Sequence, residues 1–221
     1  VEKKSKIVHS NQDSVHQRLA ETVRKHLIHS FQRPFSAHTS AAFSEVAKTL
    51  EAQKRPLILD CCCGTGESSR KLAIAHPDHW VVGIDKSAHR LQKERMEEFP
   101  ANLILLRADL NDFYRLAAAA EWRPVRHYLL YPNPWPKSAH MGRRWHGSPV
   151  FPDMLRLGGR LELRSNWKLY LEEFQIALKI AGHDSDLLAF SPTSYLTAFE
   201  KKYHLSGQPL WRLTCDLKPQ V

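Results

Sequence analysis

The chain has 221 residues, 43% of them hydrophobic, and its 32 Lys and Arg against 23 Asp and Glu give a formal charge of +9. That length and apolar share suffice for a sizeable core in one domain, and the cationic excess suits a polyanion such as nucleic acid or an acidic membrane surface. No stretch nears the roughly 20 apolar residues that cross a bilayer, and Val1–Lys6 lacks the apolar core of a signal peptide, so a cytoplasmic protein without membrane association is expected.

Residues 1–35 are polar and rich in Lys, His, Gln and Ser. They read as a basic N-terminal arm, partly helical or flexible, with a helix predicted over Ser14–Ser30 from Val15, Leu19, Val23 and Leu27. Lys3, Lys4, Lys6, Arg18, Arg24, Lys25 and Arg33 offer cations for phosphate, and a solvated tail is the other reading of the first ten residues. Residues 36–221 read as one domain. It opens with an amphipathic helix over Ser40–Gln53, carried by Ala42, Phe43, Val46, Ala47 and Leu50 and stopped before Pro56.

Leu57-Ile58-Leu59-Asp60-Cys61-Cys62-Cys63-Gly64-Thr65-Gly66 reads as an apolar strand with an acid at its end, then a glycine turn opening a helix over Glu67–His76. Gly64 and Gly66 let backbone approach a ligand, and the helix start favours polar or negative groups. A second strand, Trp80–Ile84, ends at Asp85, about 20 residues on, where a carboxylate takes ribose hydroxyls. A third, Leu103–Leu106, is followed by Asp109, and a helix is predicted over Asp112–Glu121. Any one Asp is commonly a helix cap. Three in register predict a doubly wound, mostly parallel α/β sheet with a ligand across its carboxyl ends. A nicotinamide dinucleotide would favour Gly or Ala where Ser69 stands. Cys61, Cys62 and Cys63 are adjacent and Cys215 is remote, so neither a disulfide framework nor a zinc spacing results, and the thiols read as structural. The 13 His form no H-E-x-x-H or comparable ligand pair, so no metal is expected.

After a fourth strand, His127–Leu130, comes Tyr131-Pro132-Asn133-Pro134-Trp135-Pro136-Lys137, continuing through His140, Arg143, Arg144, Trp145 and His146 to Gly147. Three prolines stiffen the chain about Asn133, two Trp supply flat faces, and Lys137, Arg143 and Arg144 supply cations, a mixture suited to a base and its phosphates. A proline-rich surface loop with a solvated basic face is the competing reading, as is Trp135 packing the loop down rather than stacking on a base. Downstream, Phe151–Leu157 reads as a short helix, Gly158-Gly159 as a turn, Arg160–Arg164 as a fifth strand and Pro209–Leu217 as a closing strand, with His183-Asp184 a turn before another.

The acidic turn with two further acidic strand ends resembles class I S-adenosylmethionine-dependent methyltransferases, which implies a Rossmann-like, seven-stranded sheet with helices on both faces. It also implies Asp60, Gly64, Gly66, Asp85, Asp109 and Asn133 as cofactor-binding residues. Family members usually carry Gly where Cys62 stands, so a positive φ there would be strained. Asn133-Pro134-Trp135-Pro136-Lys137 with His140, Arg143 and Arg144 is similar to the signature loop of the tRNA (guanine-N7-)-methyltransferase family, usually Phe-Pro-Asp-Pro-Trp. Asn166-Trp167-Lys168-Leu169-Tyr170 resembles its Asp-Trp-x-x-Tyr segment, and Thr197-Ala198-Phe199-Glu200 its Thr-x-Phe-Glu motif. The resemblance runs over roughly residues 35–217.

The resemblance implies methyl transfer from S-adenosylmethionine to guanine N7 of tRNA, at position 46 in the variable loop. Guanine N7 carries a lone pair and no proton, so positioning rather than a general base is the main task. Asn133 is the expected catalytic residue, and Lys137, Arg143, Arg144, Asn166, Thr197, Phe199 and Glu200 are expected on the substrate. Asn133 and Asn166 stand where the family has carboxylates. Glu200 is then either the remaining carboxylate of the pocket or an exposed acid beside two lysines. A methyltransferase fold acting on another substrate and a non-catalytic RNA-binding module are the alternatives. Neither a monomer nor a homodimer is selected.

Overall fold

The computed structural model describes residues 5–92 and 99–218. Its strands are β1 (Leu57–Cys61), β2 (Trp80–Asp85), β3 (Leu103–Arg107), β4 (Arg126–Leu130), β5 (Gly159–Ser165), β6 (Asp186–Phe190) and β7 (Leu210–Leu217). Its helices are α1 (Leu19–Ile28), α2 (Ala37–Ala52), α3 (Glu67–Ala75), α4 (Ala88–Leu91), α5 (Leu110–Ala119), α6 (Phe151–Arg156), α7 (Lys168–Ile180) and α8 (Ala198–Leu205). The strands make one mostly parallel sheet in the order β3-β2-β1-β4-β5-β7-β6, with β6 antiparallel to β7. The described residues divide into two compact units, one of Gln32–Leu130, Asp153–Leu161 and 217–218, the other of residues 5–31, Tyr131–Pro152 and Glu162–Asp216.

In the first unit, β1 pairs in parallel with β2 and with β4, and β2 with β3. Both β1 and β2 are buried along their whole length, which is why they read as unbroken apolar runs rather than alternating ones. The order turns back between β1 and β4, and in an open α/β sheet the carboxyl ends at such a reversal frame the ligand crevice. Gly83 of β2 lets α3 come close: a Cβ there would lie 2.2 Å from the Ser69 hydroxyl. Phe43 of α2 stacks on Trp122, and Phe113 of α5 meets both edge-on. The α2 helix starts three residues ahead of the sequence expectation because Ser36 caps it, accepting from the Thr39 N–H.

In the second unit, α7 buries Tyr170, Leu171, Glu173, Phe174, Ala177 and Leu178, an apolar face with one acid in it. Leu19 and Val23 of α1 are buried, and α1 packs on α7. The helix is shorter than Ser14–Ser30 because residues 14–18 form bends and a turn, with the His16 N–H donating to the Glu173 carboxylate. Residues 5–12 are also attached within this unit. The Ser5 N–H donates to Ser206 Oγ, and Gln208 Nε2 to the Ser5 carbonyl, both at 3.0 Å.

His127 in β4 is fully buried, its Nε2 3.0 Å from the Tyr114 hydroxyl, and burial pushes its imidazole down to about 3. Because the folded value lies below the unfolded one near 6.5, the unfolded chain binds the extra proton between the two. Stability is therefore expected to fall on acidification from pH 6.5 toward 3, by about 1.4 kcal/mol per pH unit for this group. Denaturant unfolding from pH 7 to 4.5 checks this: His127→Asn should shift the pH slope by about one proton relative to the parent.

Candidate active site: an acidic turn and a braced loop

The turn after β1 is built around two buried carboxylates. Asp60 Oδ2 accepts from the Ser68 and Ser69 hydroxyls at 2.6 Å each, while Oδ1 is buried without a partner among the described residues. Burial outweighs the two serine bonds and, with the nearby Asp85 charge, pushes the Asp60 carboxyl up to about 6. Asp85 Oδ2 accepts from the Gly64 N–H at 3.1 Å, and Oδ1 accepts from the Ser87 N–H at 2.8 Å and from half-exposed Arg90 at 3.0 Å. The end of β2 is thereby stapled to the turn of β1. Cys62 has φ +64, Gly64 +65 and Gly66 +91, the last at the N-cap of α3. The strain foreseen at Cys62 is thus present. Burial raises the Cys61 and Cys63 thiols, which fits packing rather than nucleophilic use.

Three features suit an adenosine-type ligand. Asp60 Oδ1 is an unused buried acceptor, the space beside Gly64 holds no atom within 4 Å of a Cβ built there, and the turn lies at the end of β1, where the strand order reverses. Asp109, expected with Asp60 and Asp85 on the ligand, caps α5 through the Asn111 N–H, and Arg33 reaches its Oδ2 at 3.4 Å.

The Tyr131–Gly147 loop belongs to the second unit. It runs through 3-10 turns at Ser138–Arg143 and Trp145–Gly147, and Tyr131 and Trp135 take φ +51 and +47. Exposed Asn133 accepts from the Trp135 N–H at 3.3 Å, closing a local side-chain turn. Trp135 is half-buried, with the Arg143 guanidinium 4.8 Å above its ring and His140 edge-on. Lys137 and Arg143 are exposed.

Arg144 corrects a sequence expectation. Expected to meet phosphate beside Arg143, it is wholly buried, donating to Glu173 at 2.5 Å and to the Trp135 carbonyl through Nε and Nη2 at 3.2 Å. One residue of offset puts Arg143 on the loop surface and Arg144 beneath it.

The Thr197-Ala198-Phe199-Glu200 stretch is physically a helix cap, close in form to a capping box. Thr197 Oγ1 accepts from the Glu200 N–H, and the Glu200 carboxylate turns back to the Leu196 N–H at 2.8 Å. Glu200 is buried, so the exposed-acid reading fails. It pairs with Arg164 at 2.7 Å and accepts from the Tyr131 hydroxyl at 3.1 Å, which joins α8 to the loop's first residue. Phe199 is exposed and stacks on Tyr203, whose ring also lies 5.7 Å from that of Tyr131. Asn166 donates from Nδ2 to Gln208 Oε1 at 2.8 Å. Arg164, Glu173 and Gln208 escaped sequence reasoning. For Glu173 a signal existed, since it falls between Tyr170 and Phe174 and four before Ala177, on the face the apolar residues define. Among the described residues no cluster of His, Cys, Asp or Glu could hold a metal ion, and no helix is long and apolar enough to cross a membrane.

The strand order with an acidic glycine turn at its reversal defines a class I methyltransferase fold. A methyltransferase family model matches residues 54–213, and the chain belongs to that family. It is 28% identical over 197 residues to a tRNA (guanine-N(7)-)-methyltransferase of Rubrobacter xylanophilus, covering 86% of each chain. An enzyme of the same name from Lysinibacillus sphaericus is 29% identical over 176 residues, or 72% of this chain and 78% of the relative. Among solved structures, the 16S rRNA methyltransferase KamB superposes with TM-score 0.60 at 18% identity, over 84% of this chain and 96% of that one. The 16S rRNA (adenine(1408)-N(1))-methyltransferase of Catenulisporales acidiphilia, solved with its cosubstrate SAM, gives TM-score 0.57 at 16% identity, over 81% and 93%. At such identities the likeness is one of fold.

The left-handed backbone at Cys62 gives a direct expectation. Cys62→Gly relieves the conformational strain and should be at least as stable as the parent, whereas β-branched Cys62→Val should lose about 1–2 kcal/mol. Urea unfolding of the three proteins ranks them.

Proposed function

We propose that this chain transfers a methyl group from S-adenosylmethionine to N7 of a guanine in tRNA, the guanine at position 46 of the variable loop. The observation that carries the reading is the extent of similarity to tRNA (guanine-N(7)-)-methyltransferases, 86% of both chains, which spans the acidic turn and the loop alike. A tRNA substrate is consistent with a cytoplasmic protein, and the +9 charge suits such a polyanion.

When bound, S-adenosylmethionine supplies an electrophilic sulfonium methyl. Asp85 is the ribose acceptor, and Asp60 Oδ1 is the acceptor for a buried donor or cation of the cofactor. Gly64 and Gly66 provide backbone room, and Asp109 lies at the next strand end. Guanine N7 presents its lone pair without deprotonation, so the chain needs no general base. Its task is alignment, and holding nucleophile and methyl in line is worth roughly 7–11 kcal/mol in favourable cases.

Asn133, on a loop stiffened by three prolines, is the proposed catalytic residue, with an amide that does not titrate. Lys137 and Arg143 take phosphates, and Arg143 over Trp135 presents a flat cation for stacking. Asn166 accepts from the base, and Phe199 offers an exposed ring. Thr197 and Glu200 act by fixing the start of α8, with Glu200 ion-paired to Arg164 rather than open to substrate.

Labelled S-adenosylmethionine with unmodified tRNA, followed by reduction and aniline scission, tests the reading: cleavage at one variable-loop guanine is expected. Transfer to no tRNA, with cofactor binding intact, would point to another acceptor; loss of both would leave an RNA-binding module. Asp85→Ala should abolish the thermal shift given by the cofactor, and Arg143→Ala should spare it while weakening tRNA binding. Since Asp60 is neutral below about pH 6 and ionised above, cofactor affinity is expected to decline below that pH, by up to about tenfold per unit. Calorimetric titration at pH 5 to 8 reads this, and Asp60→Asn should flatten the profile.

A further inference from the structure

One carboxylate in the second unit collects two segments far apart in sequence. Glu173 Oε2 accepts from Arg144 Nη1 at 2.5 Å and lies 3.1 Å from His146 Nε2, both residues of the loop region. Glu173 Oε1 accepts from Gln12 Nε2 at 2.6 Å and from the His16 N–H at 2.8 Å, both on the N-terminal segment. A carboxylate has about four lone-pair sites, and here four donors fill them. Glu173, Arg144 and His146 are fully buried. Arg144 in turn donates to the carbonyls of Trp135 and Lys137, the backbone that carries the Trp135 ring and the exposed Lys137 side chain. The N-terminal segment also touches the loop directly. Ser10 Oγ donates to the Pro136 carbonyl at 2.6 Å, and the Ser138 N–H donates to Asn11 Oδ1 at 2.9 Å.

We propose that Glu173 is a positioning residue for methyl transfer: one of its oxygens anchors the loop through Arg144 and His146, the other anchors residues 12–16, and residues 10–16 brace the loop in its RNA-binding form. This rests on the function proposed above. Arg144 and Glu173 touch neither substrate nor cofactor in this account; they act through the backbone of Trp135 and Lys137. A buried, fully satisfied ion pair of this kind is a poor source of net stability compared with apolar side chains of similar size, yet it fixes geometry that apolar side chains leave loose.

Two variants test it, each read by melting temperature, cofactor affinity, kcat and KM on tRNA, and trypsin cleavage after Lys137 and Arg143. The paired change Glu173→Met with Arg144→Met replaces the ions by apolar groups. Positioning calls for at least a hundredfold loss of kcat with cofactor affinity within twofold of the parent; a folded, fully active protein would overturn the proposal. Should that protein fail to fold, the milder pair Ser10→Ala with Gln12→Ala cuts the brace at two sites that are not fully buried. It is expected to raise KM for tRNA about fivefold or more and to speed cleavage after Lys137 and Arg143 about tenfold, with cleavage after Lys54 unchanged. Parental KM together with parental loop cleavage would overturn the brace. The cleavage readout needs no activity, so an inactive parent protein would refute the tRNA reading while the loop's dependence on Glu173 was still decided.

Discussion

A single buried carboxylate, that of Glu173, ties together the loop to which substrate handling is assigned under the proposed function. Burying a charge is costly, and it is tolerated here because four donors meet its two oxygens. Burial alone would raise its pKa, but His146, the His16 N–H and Arg144 outweigh that and hold Glu173 down to about 2. His146 goes the other way, lowered chiefly by burial although the Glu173 carboxylate beside it pulls it up. The anchor also makes the loop's backbone intelligible. Left-handed conformations at Tyr131 and Trp135 cost about 1–3 kcal/mol each and persist only where surroundings over-determine them. Tyr131 is held by Glu200 and the Arg164 carbonyl, Trp135 by Arg144 and Asn133.

The glycine turn works by the same logic with smaller parts. Cys62 takes a conformation that glycine would adopt freely, and the turn is secured by the Asp85 carboxylate on the Gly64 N–H and by the Cys63 N–H on the Ile84 carbonyl. Asp60, between two serines, keeps one oxygen unsatisfied. Strain and an unsatisfied acceptor at the carboxyl end of β1 are departures from local rules of the kind that functional sites retain. Both units therefore spend stability on conformation where chemistry is proposed.

The sheet was legible because buried parallel strands write themselves as apolar runs, and the acids at their ends mark where the runs stop. Leu57–Cys61 and Trp80–Asp85 were found within a residue. The edge was harder. In β6, Asp186–Phe190, most side chains are exposed or half-buried, so the run carries little pattern. Of the site, residue types and segment boundaries could be read but not which member of a pair turns inward. Arg143 and Arg144 have the same chemistry and differ only in which side of a 3-10 turn they leave. Glu173 was hidden by the general rule that acids face water, which fails where Arg144 waits below, and the same rule left Glu200 open between a pocket acid and an exposed one. The N-terminal segment looked like a tail because its partners, Gln208, Pro136 and Glu173, lie more than a hundred residues away.

With Asn133 and Asn166 in place of carboxylates, the account assigns the reaction to alignment of an already nucleophilic nitrogen. Replacing that nitrogen is the most direct test. Methyl transfer from labelled S-adenosylmethionine should be measured on tRNA transcripts containing guanosine or 7-deazaguanosine, in which N7 is a carbon without a lone pair. Robust transfer to the first and none to the second is expected at equal binding. Equal transfer to both would place the methyl on another atom and contradict it.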